Sequence, residues 1–443
     1  MTILKSDIAV LGCGWTGILL SLRLKERYPK ASVVCLDASR HPGGLLRTET
    51  IDGYTFDIGG SHIIFSRDSD ALNQLLGFLD GNTVSHERKS FILYRGVKVP
   101  YPFENGLFAL PPDIRAELLV GFVEKLLKNN SSPPKPKNLR EWAYEFFGEP
   151  IAEEYLIPYN EKIWKRRAEE IDSDWLYTPG RLPWPDWRDV VRSGAGVPTT
   201  GYREQATFYY PREGGIQSLY EAVYQRASRL GVQVLKGVKV ESLERREHWR
   251  INGTVEAGHV FSTIPLRELV LALNAPSDVR RACNRLDYNK VLVVGVAMKK
   301  PAPNEHWVYV PSRDLVFHRY AWISNYSPKN APKGASALIA EVTLEPRASV
   351  NPEAVEEAVV DGLKEIGVLS ESGAELVFAK SWLHEYGYPV YTLGHAEARR
   401  TVLEYLEGVG VKTVGRWGSW HYWNMDKVLI EVNRLVSSLP SSP

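Results

Sequence analysis

The sequence predicts an α/β protein. A Rossmann-type nucleotide-binding scaffold is interrupted by a mostly helical insertion and carries an antiparallel-sheet domain that shapes a substrate site. Three observations predict it. A short apolar strand runs into Gly12-Cys13-Gly14-Trp15-Thr16-Gly17 and a helix, and a second apolar strand ends in Asp37. The alternation of strands and helices then breaks at about 105–200, where helical periodicity dominates. Strand-rich sequence follows at about 290–390, and a strand and a helix close the chain.

The elements follow from periodicity and turn chemistry. Residues 7–12 and 32–37 are built on apolar runs of strand length, and residues 15–28 between them have helical spacing. A hairpin is expected at 91–94 and 97–99, with Gly96 in its turn. Helices are expected at 111–129 and 138–157, separated by the loop-forming run Asn129-Asn-Ser-Ser-Pro-Pro-Lys-Pro-Lys. Residues 171–211 are rich in Pro, Gly and Trp and lack a period, which suggests a functional lid. A helix at 216–229 precedes strands at 232–235, 238–243, 248–252 and 258–264. Longer strands are expected at 290–298 and 335–344, helices at 352–366 and 394–407, a strand at 412–416 and a helix from Asp426. The scaffold is thus assembled from 1–104, 201–289 and 394–443, with the helical insertion at 105–200 and the sheet-rich part at 290–393.

Composition excludes several classes. The chain has 443 residues with 54 Lys+Arg against 53 Asp+Glu, a net charge of +1. That balance argues against a nucleic-acid binder, which carries a basic excess. The apolar run at 8–22 is broken by three glycines and is too short to span a membrane. No basic, cleavable leader opens the sequence, and Cys13, Cys35 and Cys283 do not form a disulfide framework. A cytoplasmic protein is expected. No C-x-x-C or H-E-x-x-H spacing occurs, so no metal is expected. The G-x-S-x-G elbow and the P-loop are also absent.

The G-x-G-x-x-G turn carries the first chemical reading. Its glycines permit a tight turn, close approach of backbone to a pyrophosphate, and close helix–strand packing. The helix N-terminus presents N–H groups and its positive dipole end to the phosphates. Asp37, about 20 residues on, stands where a ribose-binding acid belongs. Three features favour FAD over NAD on a scaffold of the GR2-like kind. Gly43-Gly44-Leu45 supplies a second glycine turn, and Gly59-Gly60-Ser61 a third. The C-terminal strand then returns through Gly415-Arg416 to a helix at Asn424-Met425. The expected cofactor-contacting set is Gly12, Gly14, Trp15, Thr16, Gly17, Asp37, Ala38, Gly43, Gly44, Leu45, Gly59, Gly60, Ser61, Val238, Gly415, Arg416, Asn424 and Met425.

Six segments in consistent order resemble the UDP-galactopyranose mutases, the eukaryotic type more than the usual bacterial one. They are Phe56-Asp-Ile-Gly-Gly-Ser-His62-Ile-Ile-Phe-Ser, Val99-Pro-Tyr-Pro-Phe103, Pro158-Tyr-Asn160-Glu-Lys-Ile-Trp164, Ser324-Asn-Tyr-Ser-Pro328, Tyr386-Gly-Tyr388-Pro389, and Gly415-Arg416-Trp-Gly-Ser-Trp420-His-Tyr422. The wider superfamily, with amine oxidases and protoporphyrinogen oxidases, shares only the FAD parts. The resemblance implies interconversion of UDP-galactopyranose and UDP-galactofuranose. It implies that FAD acts when reduced, by NADH or NADPH, and that its N5 forms a covalent adduct with the anomeric carbon.

The resemblance also implies residue roles. Arg181 and Arg319 correspond to a mobile and a fixed arginine on the diphosphate, which suits the guanidinium's fork of donors. Tyr309, Tyr388 and Tyr422 match tyrosines that donate to the same diphosphate. Asn160 and Trp164 match positions near the sugar and the uracil-side wall, and their spacing puts both on one helix face. Gln205 stands where the family has an Asn near the uridine. His62 faces the flavin, with Ser61 inserted before it relative to the eukaryotic pattern. His318 replaces an aromatic residue, and Arg416 lies by the FAD pyrophosphate. The competing readings are an FAD-dependent oxidoreductase of the amine-oxidase-like superfamily and a non-catalytic FAD- or UDP-sugar-binding protein.

Overall fold

Leu4–Leu11 lies between Val33–Asp37 and Val255–Ser262, with all three strands parallel. Gln233–Lys236 extends the parallel set beyond Val33–Asp37, and Val411–Thr413 pairs with the end of Val255–Ser262. The antiparallel strands Trp249–Ile251 and Leu243–Arg245 complete seven strands. Ala9, Val10 and Leu11 are fully buried because a parallel sheet is covered on both faces, which is why the strand reads as an unbroken apolar run. The helix Trp15–Arg27 packs on one face against Gln217–Arg229 and Met425–Ser437. The computed structural model describes residues 3–128, 135–177, 185–199 and 206–442.

A second seven-stranded sheet is ordered Leu376–Val390, Asp287–Met298, Ser336–Leu344, Arg319–Ala321, Trp307–Tyr309, Ser90–Tyr94, Val97–Pro100. Its pairings are antiparallel except that of Trp307–Tyr309 with Ser90–Tyr94. The hairpin that the sequence reading groups with the first nucleotide-binding segment therefore belongs to this sheet. Its partner lies more than two hundred residues away, and local periodicity does not reveal such a pairing. The 15-residue strand Leu376–Val390 is absent from the sequence reading. It is half-exposed over most of its length and interrupted by Lys380, His384 and Glu385, so it lacks a clean two-residue alternation.

The helical insertion packs against the second sheet through Ile157–Trp164 and Ser336–Leu344. Pro112–Lys128 forms close to the expected limits. The single helix expected at 138–157 is instead Leu139–Phe147, a break, and a second helical run. Gly148 adopts φ +78° at the break, and Pro150 opens the next turn, Glu149–Ile151. A π-turn, Ala152–Leu156, follows and leads into Ile157–Trp164. Two other expectations need correction. The strand expected at 238–243 begins only at Leu243, and the strand expected at 412–416 ends at Thr413, where Gly415–Gly418 makes a helical turn. The helices Leu266–Ala272 and Ser277–Asn284, each capped by a proline, are additions to the sequence reading. Among the described residues no helix is long and apolar enough to cross a membrane.

Candidate active site

The glycine turn lies at the carboxyl end of Leu4–Leu11, as a nucleotide site on an open parallel sheet requires. Its glycines divide the work. A Cβ on Gly17 would stand 1.7 Å from the Gly12 carbonyl oxygen, so Gly17 serves helix–strand packing. Gly12 adopts φ +88° and would meet Thr263 Oγ1 at 2.7 Å. A Cβ on Gly14 would meet nothing nearer than Gly44 at 3.7 Å. The protein alone does not demand glycine there, and the bare backbone leaves room for a ligand to lie against it. Gly14 caps Trp15–Arg27 without a side-chain hydrogen bond, and the first turn has no acidic residue, so its N–H groups suit an anion.

A groove of about 430 Å³ runs from this turn. Gly12, Gly14, Trp15, Thr16, Asp37, Gly44, Leu45, Arg416, Asn424 and Met425 line it. The Asp37 carboxylate accepts hydrogen bonds from Cys13 N at 2.7 Å and Ser39 N at 2.8 Å, which fixes it at the end of its strand. Four members of the expected set support the groove from behind. Gly17 packs the helix, Gly43 bridges to Gly14, and Gly415 faces Thr16, where a Cβ would come within 2.5 Å. Val238 donates its N–H to the Asp37 carbonyl at 2.8 Å. Ala38 is exposed and outside the lining. Arg47, His41 and Ile264 also line the groove and are additions to the set.

The groove meets a second cavity of about 230 Å³ at Leu45, His62, Arg416, Asn424 and Met425. Gly59, Gly60, Ser61, Asn160, Trp164, Tyr309, His318, Arg319, Tyr388 and Tyr422 line this cavity. Residues of the second sheet, of the insertion and of loops of the nucleotide-binding part thus converge. Arg181 and Gln205 lie outside the described residues.

Bonded to three of these lining residues is one that the sequence reading missed. Glu341, 1% exposed, accepts from Arg319 Nη2 at 2.5 Å and from Ser61 N at 3.0 Å through one oxygen. Its other oxygen accepts from the Tyr388 hydroxyl at 2.7 Å, with His318 Nε2 at 3.8 Å. Burial alone would raise its pKa. The Arg319 charge, helped by His318 and these hydrogen bonds, outweighs burial and holds it at about 2. A signal existed: Glu341 is the only charged residue in the run Ser336–Leu344. Because the Tyr388 proton is committed to Glu341, that hydroxyl offers the cavity a lone pair. This differs from the donor role that the resemblance implies.

The other expected residues find definite partners. Trp164 Nε1 donates to Asn160 Oδ1 at 3.0 Å, and Asn160 Nδ2 donates to the Leu156 carbonyl at 2.7 Å. The four-residue spacing does place both on one helix face. Trp164 meets Trp175, Tyr388 and Tyr422 edge-on. His62 Nδ1 lies 2.9 Å from the Gly60 carbonyl, which fixes a proton on that nitrogen. Burial and the nearby Arg416 charge push its pKa down to about 4, so the ring is neutral near pH 7. Arg416 donates to the Trp423 carbonyl at 2.9 and 3.1 Å and lies over the Tyr422 ring. It thus sits where the groove and cavity join.

Five buried polar atoms on cavity-lining residues have no hydrogen-bond partner among the described residues: Arg319 Nε, His318 Nδ1, Trp175 Nε1, Trp307 Nε1 and Glu104 Oε1. Folded proteins seldom leave such groups unsatisfied, and five around one cavity indicate a polar ligand. Burial, only partly offset by Glu341, pushes His318 down to about 3. Arg319, balanced by Glu341, is thus a fixed positive charge of the cavity, with Arg416 at its junction with the groove. Among the described residues no group of three or more His, Cys, Asp or Glu side chains could hold a metal ion.

The arrangement has known parallels. A structure of reduced UDP-galactopyranose mutase aligns with a TM-score of 0.88 over 98% of this chain and 95% of that one, at 24% identity. A protein of Exiguobacterium sp. 255-15, named as a candidate protoporphyrinogen oxidase, aligns with a TM-score of 0.76 over 99% of both chains, at 18% identity. At these identities the likeness is one of fold. The coproporphyrinogen III oxidase of Staphylococcus aureus (strain NCTC 8325 / PS 47) is 23% identical over 126 residues, 28% of this chain. The match spans only 27% of that curated relative's length. The flavin containing amine oxidoreductase family matches residues 16–409, nearly the whole of the scaffold and its insertions. The groove below Gly14, open between two uncapped helix N-termini, fits the dinucleotide that this family carries. The chain therefore belongs to the flavin containing amine oxidoreductase family, and its cofactor is FAD.

Proposed function

We propose that this protein is a UDP-sugar mutase, interconverting UDP-galactopyranose and UDP-galactofuranose without net oxidation. One observation carries the reading. Arg319, whose Nε has no partner among the described residues, stands in a cavity with Tyr309, Tyr388 and Tyr422, and that cavity joins the FAD groove at His62 and Arg416. A leaving diphosphate gains charge as the anomeric bond breaks, and a guanidinium held by Glu341 is preorganised to receive that charge. When bound and reduced, by NADH or NADPH, FAD supplies the nucleophile for the anomeric carbon. The protein supplies the rest. Arg319, joined in this proposal by Arg181, grips the diphosphate; Tyr309 and Tyr422 orient it. Trp164 and Trp175 wall off water, and Asn160 holds the Trp164 ring in place. Neutral His62 keeps its proton toward Gly60 and adds no charge beside the flavin edge.

The test is an interconversion assay. Dithionite-reduced holoenzyme is incubated with UDP-galactofuranose and the products are separated by chromatography. UDP-galactopyranose is expected, with no stoichiometric consumption of NAD(P)H. Failure of the two forms to interconvert would sink the reading. The family and the oxidase relatives favour a second reading, an FAD-dependent oxidoreductase. Its signature is substrate oxidation coupled one-to-one to oxygen or another acceptor. The three cysteines are all free and buried, which suits a reducing compartment, and we place the protein in the cytoplasm.

A further inference from the structure

The helix Ile157–Trp164 borders two hollows. Asn160 and Trp164 line the cavity described above, whereas Glu161 and Lys162 line a separate groove of about 710 Å³. The groove continues over Lys165 and Arg313, and Leu344 and Val355 give it an apolar wall. Five Lys and Arg side chains line it against three Glu. The whole chain has a net charge of only +1, so this excess is local.

Two of the arginines are already paired, Arg313 with Glu161 at 2.5 Å and Arg166 with Asp287 at 2.6 Å. The two lysines are not. Lys162 is 7% exposed, and its ammonium donates to the Val310 carbonyl at 2.9 Å and the Ser312 carbonyl at 2.5 Å. An ammonium has three donors, so one is left over. Lys165 is half-buried, and among the described residues its ammonium has no hydrogen-bond or ion-pair partner. Asp314 attracts Lys162 and Glu345 attracts Lys165, but neither carboxylate forms an ion pair with them. Burial, helped by the Lys165 charge, pushes Lys162 down to about 7, and burial lowers Lys165 as well. Lysine is seldom buried without an anion, and here two such lysines lie one helical turn apart.

The backbone gives no reason for a lysine at 165. Lys165 caps the helix at φ +54°, the left-handed conformation that glycine adopts readily at helix ends. A long cationic side chain held there against that preference points to a use for its charge.

We propose that this groove is a second ligand site, which takes a phosphate group on Lys162 and Lys165 and an apolar body against Leu344 and Val355. A phosphate dianion matches two adjacent cations in charge. Its oxygens accept in several directions, so one phosphate can meet both ammonium groups. A ligand there lies behind the helix that carries Asn160 and Trp164, and the site does not depend on the sugar-nucleotide reading.

The experiment is calorimetric titration of phenyl phosphate and of benzoate into FAD-loaded protein, for wild type and Lys165→Gly. Glycine suits the left-handed backbone, so the variant is expected to fold and to keep its FAD. Lys165→Asn, which also tolerates this conformation, repeats the measurement with a polar side chain in place. Phenyl phosphate is expected to bind the wild type with a Kd below about 1 mM, and to bind either variant at least about tenfold more weakly. Benzoate, with the same ring and a single charge, is expected to bind the wild type at least about tenfold more weakly than phenyl phosphate. Phosphate held in the cavity around Arg319 would survive both substitutions, because Lys165 does not line that cavity. Absence of wild-type binding, benzoate binding as tight as that of phenyl phosphate, or an affinity that the two variants leave unchanged overturns the proposal.

Discussion

Arg319 and Glu341 form an ion pair of 2.5 Å on adjacent antiparallel strands, register partners in the second sheet. The carboxylate is buried and the guanidinium is a charged donor in the cavity lining. Breaking such a pair from one side strands the other charge, at a cost of roughly 3–5 kcal/mol. Glu341→Ala is expected to destabilise the protein by about that much in urea denaturation. A loss below about 1 kcal/mol would show that the pair is not holding the site together.

The same residue sets an acid limit. Its folded pKa, about 2, lies below the ordinary value of 4.5. Its contribution is therefore present above pH 4.5 and lost as pH falls toward 2, on the order of 3 kcal/mol in all. Glu104 has the opposite sign. Its pKa is raised to about 7, so it costs stability as pH rises from 4.5 to 7. Glu104→Gln is expected to melt above the wild type at pH 8 and to match it at pH 4, as measured by thermal scans across this range.

Arg319→Lys keeps a charge for Glu341 but loses the planar fork. Interconversion should fall at least about a hundredfold, as for loss of one preorganised transition-state donor. Flavin absorbance per protein should not change. The same split is expected for Arg181→Ala. Turnover within threefold of wild type in both variants would remove the diphosphate assignment.

Gly14→Ala and Gly17→Ala separate cofactor binding from packing. The new methyl at position 14 meets nothing nearer than 3.7 Å, so the apoprotein should melt normally while FAD content drops sharply. At position 17 it would stand 1.7 Å from the Gly12 carbonyl, so the apoprotein itself should lose stability. Full FAD content in Gly14→Ala would mean that the pyrophosphate does not approach this turn.

Much was legible in the chain alone, and the reason is distance. The turn at Gly12, Gly14 and Gly17, the helix behind it and Asp37 lie within 26 residues, where strand and helix periods and glycine sterics act locally. Asn160 and Trp164 are one helical turn apart, so their pairing was equally readable. Single departures from an apolar pattern, Glu341 in its strand and Glu104 after Tyr101-Pro102-Phe103, were visible as letters without a meaning.

Only the tertiary structure decided what those acids do. Ser61, Arg319, Glu341 and Tyr388 are brought together by a glycine loop and three strands, two of them joined by pairings that no local period encodes. The strand that carries Tyr388 is half-exposed and charge-interrupted, so its place came from its partner Asp287–Met298 rather than from its own pattern. Glu104 likewise became informative once its burial was known. A carboxyl's protonation is set by its surroundings, and those surroundings come from parts of the chain far away in sequence.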